Sequence, residues 1–96
     1  MSELKIMTVC GFGLGSSMIL KITLDRVLEE NNINAETFCA DEVTAVGENF
    51  DIVFTSKEMI HLFANETRPV IVIENFLSKS EIRQKGLDII KLAINK

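Results

Sequence analysis

Two short apolar runs constrain the fold of this chain more than any other feature. Residues 52–54 (Ile-Val-Phe) and 70–73 (Val-Ile-Val-Ile) are continuously apolar and mostly β-branched, without alternating polar positions. Strands have this composition when both of their faces are buried, as in a parallel sheet covered by helices. The rest of the sequence must therefore supply helices for both faces of a sheet.

The intervening segments contain patterns typical of two further strands and several helices. Predicted strands cover 4–9 and 35–39. Predicted helices cover 16–30, 58–65 and the stretch from Ser78 to the end of the sequence, and a loop with at most a short helical turn covers 41–49. The first helix is expected to begin at Ser16 or Ser17, either of which can cap it. Its buried face would carry Leu20, Leu24, Val27 and Leu28, which recur at helical spacing.

The ends of the helices carry their own signals. Asn31 and Asn32 are expected to end the first helix, because Asn tolerates the left-handed conformation common there. Ser78 and Glu81 have the spacing of a capping box, which predicts the start of the last helix. Gly86 lies inside that helix and is expected to weaken it or to split it in two.

Strands that alternate with helices predict right-handed crossovers and an α/β fold. We expect a three-layer fold with a four-stranded parallel sheet in the order 2-1-3-4 and helices on both faces. The length of 96 residues fits a single domain covering residues 1–96. In such a sheet, ligands bind at the carboxyl ends of strands one and three, where the winding reverses. Cys10 and the turn at Thr55 and Ser56 both follow those strands.

Composition excludes several functional classes. The net charge is −4, the basic residues are scattered, and Trp and Tyr are absent, which argues against nucleic-acid binding. No window approaches the roughly 20 apolar residues of a membrane span. The two cysteines do not form a disulfide framework, so we expect reduced thiols and a cytoplasmic location. No His, Cys and carboxylate grouping has the spacing of metal ligands, and no metal or cofactor is expected.

The segment from Cys10 to Ser17 is the one dense signal for chemistry. Its glycines allow backbone N–H groups to turn inward into an anion-binding nest, and the following helix adds its unpaired amides. The predicted phosphate-binding residues are Gly11, Phe12, Gly13, Leu14, Gly15, Ser16 and Ser17. Cys10 is the predicted nucleophile, because amides and a helix N-terminus lower the pKa of a thiol and favour the reactive thiolate.

Three other phosphate-binding sites fit this segment less well. A dinucleotide fingerprint would need a third Gly where Ser16 stands, and a P-loop would need a lysine. The small tyrosine phosphatases use Cys-x5-Arg-Ser after the first strand, and Ser16 again occupies the arginine position. Without that arginine the transferring phosphoryl oxygens lack bidentate stabilisation. A phosphocysteine carrier is favoured, while a weak phosphatase and a non-catalytic domain that senses phosphorylation remain alternatives.

With these residues, the chain resembles enzyme IIB of the bacterial phosphoenolpyruvate-dependent sugar phosphotransferase system, in the ascorbate/galactitol-like type of the lactose superfamily. The resemblance is carried by Cys10-Gly11, Gly13, Gly15 and Ser16-Ser17-Met18, and more softly by Cys39-Ala40, 70–75 and 75–78. It implies the small tyrosine phosphatase scaffold. It also implies that Cys10 accepts phosphate from a histidine of a IIA protein and delivers it to a sugar held by a membrane IIC transporter.

Some residues depart from the family pattern or fit a structural role. Phe12 and Leu14 stand where many members have smaller or polar residues, and they are candidates for a docking surface. Cys39 is expected to be a core residue, and the lone His61 receives no role. Turn chemistry alone would explain Thr55 and Ser56, although both could line the site. The acidic residues at 41–42 and 48–51 are expected to form a solvated loop.

Overall fold

The computed structural model describes residues 4–9 and 14–94, with the backbone alone at 14–17 and 46. The strands are β1 (Leu4–Val9), β2 (Ala35–Ala40), β3 (Ile52–Thr55) and β4 (Val70–Val72), and the α-helices are α1 (Leu14–Glu30), α2 (Lys79–Ile82) and α3 (Asp88–Ile94). Short 3₁₀ helices cover Ala45–Gly47 and Lys57–Phe63, and a π turn, Arg83–Leu87, joins α2 to α3.

The described strands form one parallel sheet in the predicted order β2-β1-β3-β4. β1 lies in the centre, where Val9 pairs with Ala40 on one side and with Thr55 on the other. β4 extends the sheet beyond β3, with Val72 beside Thr55. The chain therefore changes winding direction between β1 and β3, as the sequence predicted.

Each face of the sheet is buried by its own apolar cluster, which confirms the three-layer α/β fold. On one face, α1 and the last helix (α2, the π turn and α3) cover the sheet; the fully buried residues there include Ile6, Leu20, Leu24, Val27, Phe54, Ile82 and Ile90. On the other face the cluster comprises Met7, Val9, Ala40, Ala45, Phe50, Val53, Met59 and Phe63. The helix predicted at 58–65 is the 3₁₀ helix Lys57–Phe63.

Helix α1 begins at Leu14, two residues before the predicted start at Ser16 or Ser17. The prediction was wrong because it treated Gly15 as part of the loop. A single Gly costs a helix only about 1 kcal/mol, which burial of the apolar face outweighs. The cap position therefore precedes Leu14 and lies outside the described residues, and the backbone of Ser16 and Ser17 lies within the helix.

The end of α1 follows the predicted asparagine signal. Asn32 has a positive φ of 56°, and the Ile33 N–H donates to the carbonyl of Leu28 at 2.9 Å. The Asn32 N–H donates to Glu29 at 3.2 Å, which completes the bond pattern of a Schellman motif. Ile33 packs against the same cluster as Leu28, so the motif directs the chain back toward β2.

The last helix begins with the predicted cap, and the π turn that contains Gly86 divides it into α2 and α3, in line with the expected split. The Ser78 hydroxyl accepts from the Glu81 N–H at 3.1 Å. Gly86 is buried within the π turn, where an added Cβ would lie 2.6 Å from Cζ of Phe54. The glycine also allows this turn to pack closely on the sheet, which the sequence did not predict.

Candidate functional site

The predicted phosphate-binding segment falls into two parts. Cys10, Gly11, Phe12 and Gly13 lie outside the described residues. Leu14, Gly15, Ser16 and Ser17 form the first turn of α1. The first four N–H groups of an α-helix have no partner within the helix, and the helix dipole makes this end positive. The backbone that follows the loop is therefore suited to an anion.

A groove of about 550 Å³ lies at the carboxyl edge of the sheet. It is lined by Ile19 of α1, by Ser56, Lys57 and Glu58 after β3, and by Ile73, Glu74, Asn75, Phe76 and Leu77 after β4. Val9, the residue before Cys10, pairs with Thr55, the residue before Ser56. The sheet register therefore brings the end of β1 and one wall of this groove to the same edge.

Two buried hydroxyls end β3 without a hydrogen-bond partner among the residues that the structure describes. Thr55 is 0% and Ser56 4% exposed, and neither side-chain oxygen is accessible to solvent. Buried polar groups are nearly always paired, and an unpaired one costs about 1–3 kcal/mol. Ser56 precedes the 3₁₀ helix in extended conformation, yet its side chain makes no capping bond. Turn chemistry therefore does not explain this serine.

The two hydroxyls face opposite sides of the sheet. Phe54 belongs to the cluster that contains Leu20 of α1, whereas Val53 belongs to the opposite cluster. Side chains alternate along a strand, and Ser56 continues the extended backbone with φ −97° and ψ 164°. Ser56 therefore lies on the α1 side and lines the groove, while Thr55 points to the other face.

The segment after β4, which forms one wall of the groove, is held in place by a carboxylate from the last helix. The Glu74 and Asn75 N–H groups donate to the two oxygens of Glu81 at 2.7 and 2.8 Å. The Asn75 side chain accepts from the Leu77 N–H at 3.0 Å. Burial raises the pKa of Glu81, but these N–H groups and the Lys85 ammonium outweigh it and hold that pKa below its usual value. The Glu81 carboxylate therefore binds the loop after β4 and does not close the capping box on Ser78.

Ile19 of α1 and Leu77 after β4 line the groove, and the exposed Met18 and Ile22 are neighbours of Ile19 on α1. Met18, Ile19 and Ile22 are 48%, 44% and 47% exposed, and Leu77 across the groove is 75% exposed. These four residues are called the apolar rim below. Sequence patterns missed them, because the predicted docking candidates were Phe12, which lies outside the described residues, and Leu14, whose side chain is not described. A surface-exposed apolar group of this kind is typical of protein contact sites.

The arginines of the chain are placed away from the groove. Arg68 is held by Glu66 at 2.7 Å and lies over the Phe50 ring, 3.7 Å from its centroid. The guanidinium lowers the pKa of Glu66 to about 2. Arg83 is 3.6 Å from the carboxylate at the end of α1. Neither these residues nor Arg26 lines the groove, so no arginine of the chain is placed to clamp a phosphoryl group there.

Other residues considered from the sequence have structural surroundings. Cys39 is a free, partly buried thiol that accepts from the Thr8 hydroxyl at 3.5 Å, rather than a full core residue. His61 lines a separate cavity of about 290 Å³ on the 3₁₀ side. Asp41 closes a turn by accepting from the Thr44 N–H at 2.8 Å. Asp51 is exposed, as expected for the solvated loop, and its carboxylate also accepts from the Lys5 N–H at 2.8 Å.

Within residues 4–9 and 14–94, no cluster of His, Cys, Asp and Glu could hold a metal ion. The helices in the same ranges include none that is both long and apolar enough to cross a membrane.

Comparison with known proteins agrees with this architecture. A family model of the lactose/cellobiose-specific IIB subunits of PTS systems matches residues 5–86. Ascorbate-specific PTS EIIB components of Shigella dysenteriae serotype 1 and Escherichia coli O157:H7 are 31% and 30% identical over 90 residues, covering 91% of this chain and 89% of each relative. The lactose-specific IIB domain of the phosphoenolpyruvate:carbohydrate phosphotransferase system from Streptococcus pneumoniae has a TM-score of 0.56 over 98% of this chain and 97% of that chain, at 10% identity.

The fold and these matches define a component of a sugar phosphotransferase system. More specifically, the chain belongs to the lactose/cellobiose-type PTS IIB family. The Streptococcus pneumoniae structure supports the fold alone, because its sequence identity is low.

Proposed function

We propose that this protein is a phosphocysteine carrier in which Cys10 holds the phosphoryl group. The observation that supports it is the position of α1, whose first turn begins four residues after Cys10 at the carboxyl edge of the sheet. Amides of Gly11, Phe12 and Gly13 and of the first turn from Leu14 to Ser17 would surround the phosphoryl oxygens. The proposal takes residues 1–96 as one IIB domain acting in the cytoplasm.

The reaction consists of two in-line transfers. In the first, the Cys10 sulfur attacks phosphorus of a phosphohistidine, an S–P bond forms, and the P–N bond breaks. The electron pair of that bond stays on the ring nitrogen, which gains the proton that the thiol loses. In the second, a sugar hydroxyl oxygen attacks phosphorus, and the S–P bond breaks. The sulfur recovers its electron pair and a proton, while the sugar becomes a phosphate ester.

The placement of the arginines favours a carrier over a phosphatase. A guanidinium that binds two phosphoryl oxygens stabilises their transition-state charge, and it would do so for attack by water as well. Arg68 and Arg83 are engaged with carboxylates elsewhere. A site built from amides and hydroxyls alone would hold the phosphoryl group until a positioned acceptor arrives.

The family and the surface around the groove support the proposed partners. IIB components act between a IIA phosphohistidine protein, the donor, and a membrane IIC transporter, which holds the sugar. Either partner must cover the carboxyl edge to reach Cys10, and the apolar rim of Met18, Ile19, Ile22 and Leu77 lies around that edge. We propose this rim as the shared docking surface. The relatives named as ascorbate-specific make an ascorbate-type IIA protein the first donor to test.

The test is to locate the phosphoryl adduct by intact-mass and peptide mass spectrometry. The protein is incubated with phosphoenolpyruvate, the general phosphotransfer proteins and an ascorbate-type IIA protein. We expect one phosphoryl group on Cys10, no adduct in Cys10→Ala, and normal labelling in the matched control Cys39→Ala. An adduct at another residue, or one that persists in Cys10→Ala, would refute the assignment.

A further inference from the structure

We propose that the Ser56 hydroxyl is a phosphoryl-binding group of this protein, donating a hydrogen bond to one oxygen of the phosphoryl group during transfer. The inference rests on the proposed function, because it takes the phosphoryl group to be carried at the end of β1. The residue types after β3 gave no reason to prefer this serine over its neighbour.

The state of the Ser56 hydroxyl itself supports this role. Ser56 is 4% exposed, and its oxygen has no partner among the described residues. It occupies the cap position of a 3₁₀ helix without capping it. A buried hydroxyl without a protein partner is uncommon in folded proteins, and a role in catalysis is one explanation for it.

The position of Ser56 at the carboxyl edge of the sheet also supports this role. Thr55 pairs with Val9, so Ser56 follows the end of β3 just as Cys10 follows the end of β1. Ser56 lines the groove together with Ile19, which is one turn into α1. The serine therefore lies on the face of the sheet that α1 covers, at the edge where the first turn of α1 offers its amides.

The described residues of the groove carry little positive charge. Lys57 is the one cation among the described residues that line the groove. It is exposed, and Glu58 follows it in the sequence. These residues include no arginine that could stabilise the charge of the phosphoryl oxygens. A desolvated hydroxyl compensates in part, because a hydrogen bond to an ionised oxygen is stronger in a site without water.

The chain also provides a matched control. Thr55 carries a hydroxyl that is equally buried and equally without a partner in the described part of the chain, but it faces the opposite cluster. Thr55→Val and Ser56→Ala each remove one buried hydroxyl. Removing such a group relieves an unsatisfied donor, so neither change should destabilise the unphosphorylated protein. Only Ser56→Ala should impair transfer.

The experiment measures the rate of adduct formation from a phosphorylated ascorbate-type IIA protein by rapid quench and intact-mass spectrometry. Loss of one hydrogen-bond donor to a transition-state oxyanion typically costs about 10- to 100-fold in rate, which is the expected effect of Ser56→Ala. Thr55→Val should match the wild type. The ³¹P NMR signal of the isolated adduct should shift in Ser56→Ala and remain unchanged in Thr55→Val.

Each outcome is decisive. Equal rates and equal ³¹P signals for wild type and Ser56→Ala overturn the role of Ser56 and leave the carrier function standing. If Ser56→Ala forms the adduct slowly and its melting temperature has also fallen, the role of Ser56 is overturned as well, since the serine would then be structural. If the wild type forms no adduct on Cys10, the proposed function fails, and this inference fails with it.

Discussion

Replacing Gly86 by Ala tests the close packing of the last helix on the sheet. The new Cβ would lie 2.6 and 2.8 Å from Cζ and Cε2 of Phe54 and 3.3 Å from Cδ1 of Ile71. Carbon atoms in contact normally stand about 3.5–4.0 Å apart, so the ring or the helix must move by about 1 Å. Phe54 is fully buried between α1 and the last helix, which leaves its ring no free space.

Two opposing effects determine the size of the change. Overpacking a tight core costs about 1–3 kcal/mol, and a contact this short belongs near the upper end. Ala gains about 0.5–1 kcal/mol over Gly within a helix. The net expectation is a loss of about 2 kcal/mol, which lowers the melting temperature of a domain of this size by about 8–16 °C.

The assay is thermal and urea unfolding followed by circular dichroism. Gly47→Ala is the matched control, because no atom lies within 4 Å of its Cβ position, and it should leave stability unchanged or slightly higher. The double variant Phe54→Leu with Gly86→Ala should lose less than the sum of the single losses, since the smaller side chain relieves the contact. A Gly86→Ala protein as stable as the wild type would refute the reasoning.

Two further substitutions address the loop after β4 and the apolar rim. Glu81→Gln should cost about 1–2 kcal/mol at neutral pH, because charged acceptors strengthen the loop hydrogen bonds. The folded pKa of Glu81 lies below its ordinary value of 4.5, so this stability is present above that pH and is lost as pH falls through the folded pKa. The free energies of unfolding of the wild type and Glu81→Gln should therefore become equal at low pH. The exposed control Glu29→Gln should have the stability of the wild type at each pH. Ile19→Asp, at a rim residue that lines the groove, should raise the IIA concentration needed for half-maximal phosphorylation by about tenfold. Leu92→Asp, at an exposed apolar residue outside the groove, should not raise it, and equal values for the two variants would remove the rim as the docking surface.

The fold was predictable because burial leaves a strong mark on sequence. The apolar runs at 52–54 and 70–73 predict a sheet that is buried on both faces, and the spacing of Leu20 and Leu24 predicts a helix that covers it. Together these patterns predict the layers of the fold and the order of the strands. Local chemistry also predicted the helix end at Asn32 and the cap at Ser78. These features depend on neighbours close in sequence or on hydrophobicity alone.

The errors and omissions arise from contacts between distant segments. Gly86 was taken only as a weak point of a helix, because nothing nearby in the sequence indicates that Phe54 approaches it. Glu81 was assigned to its own helix cap, whereas its carboxylate binds the loop seven residues earlier. The unpartnered hydroxyl of Ser56 is visible only once burial on both sides of the strand is known.

The central claim is that the protein carries a phosphoryl group without releasing it to water. The most direct measurement isolates the ³²P-labelled phosphoprotein and mixes it with membranes that contain a matching IIC transporter and its sugar. The account predicts that the label moves from Cys10 to sugar phosphate, and that it stays on the protein when the sugar is omitted. Label released as inorganic phosphate at the same rate with and without the transporter would contradict the account and indicate a phosphatase.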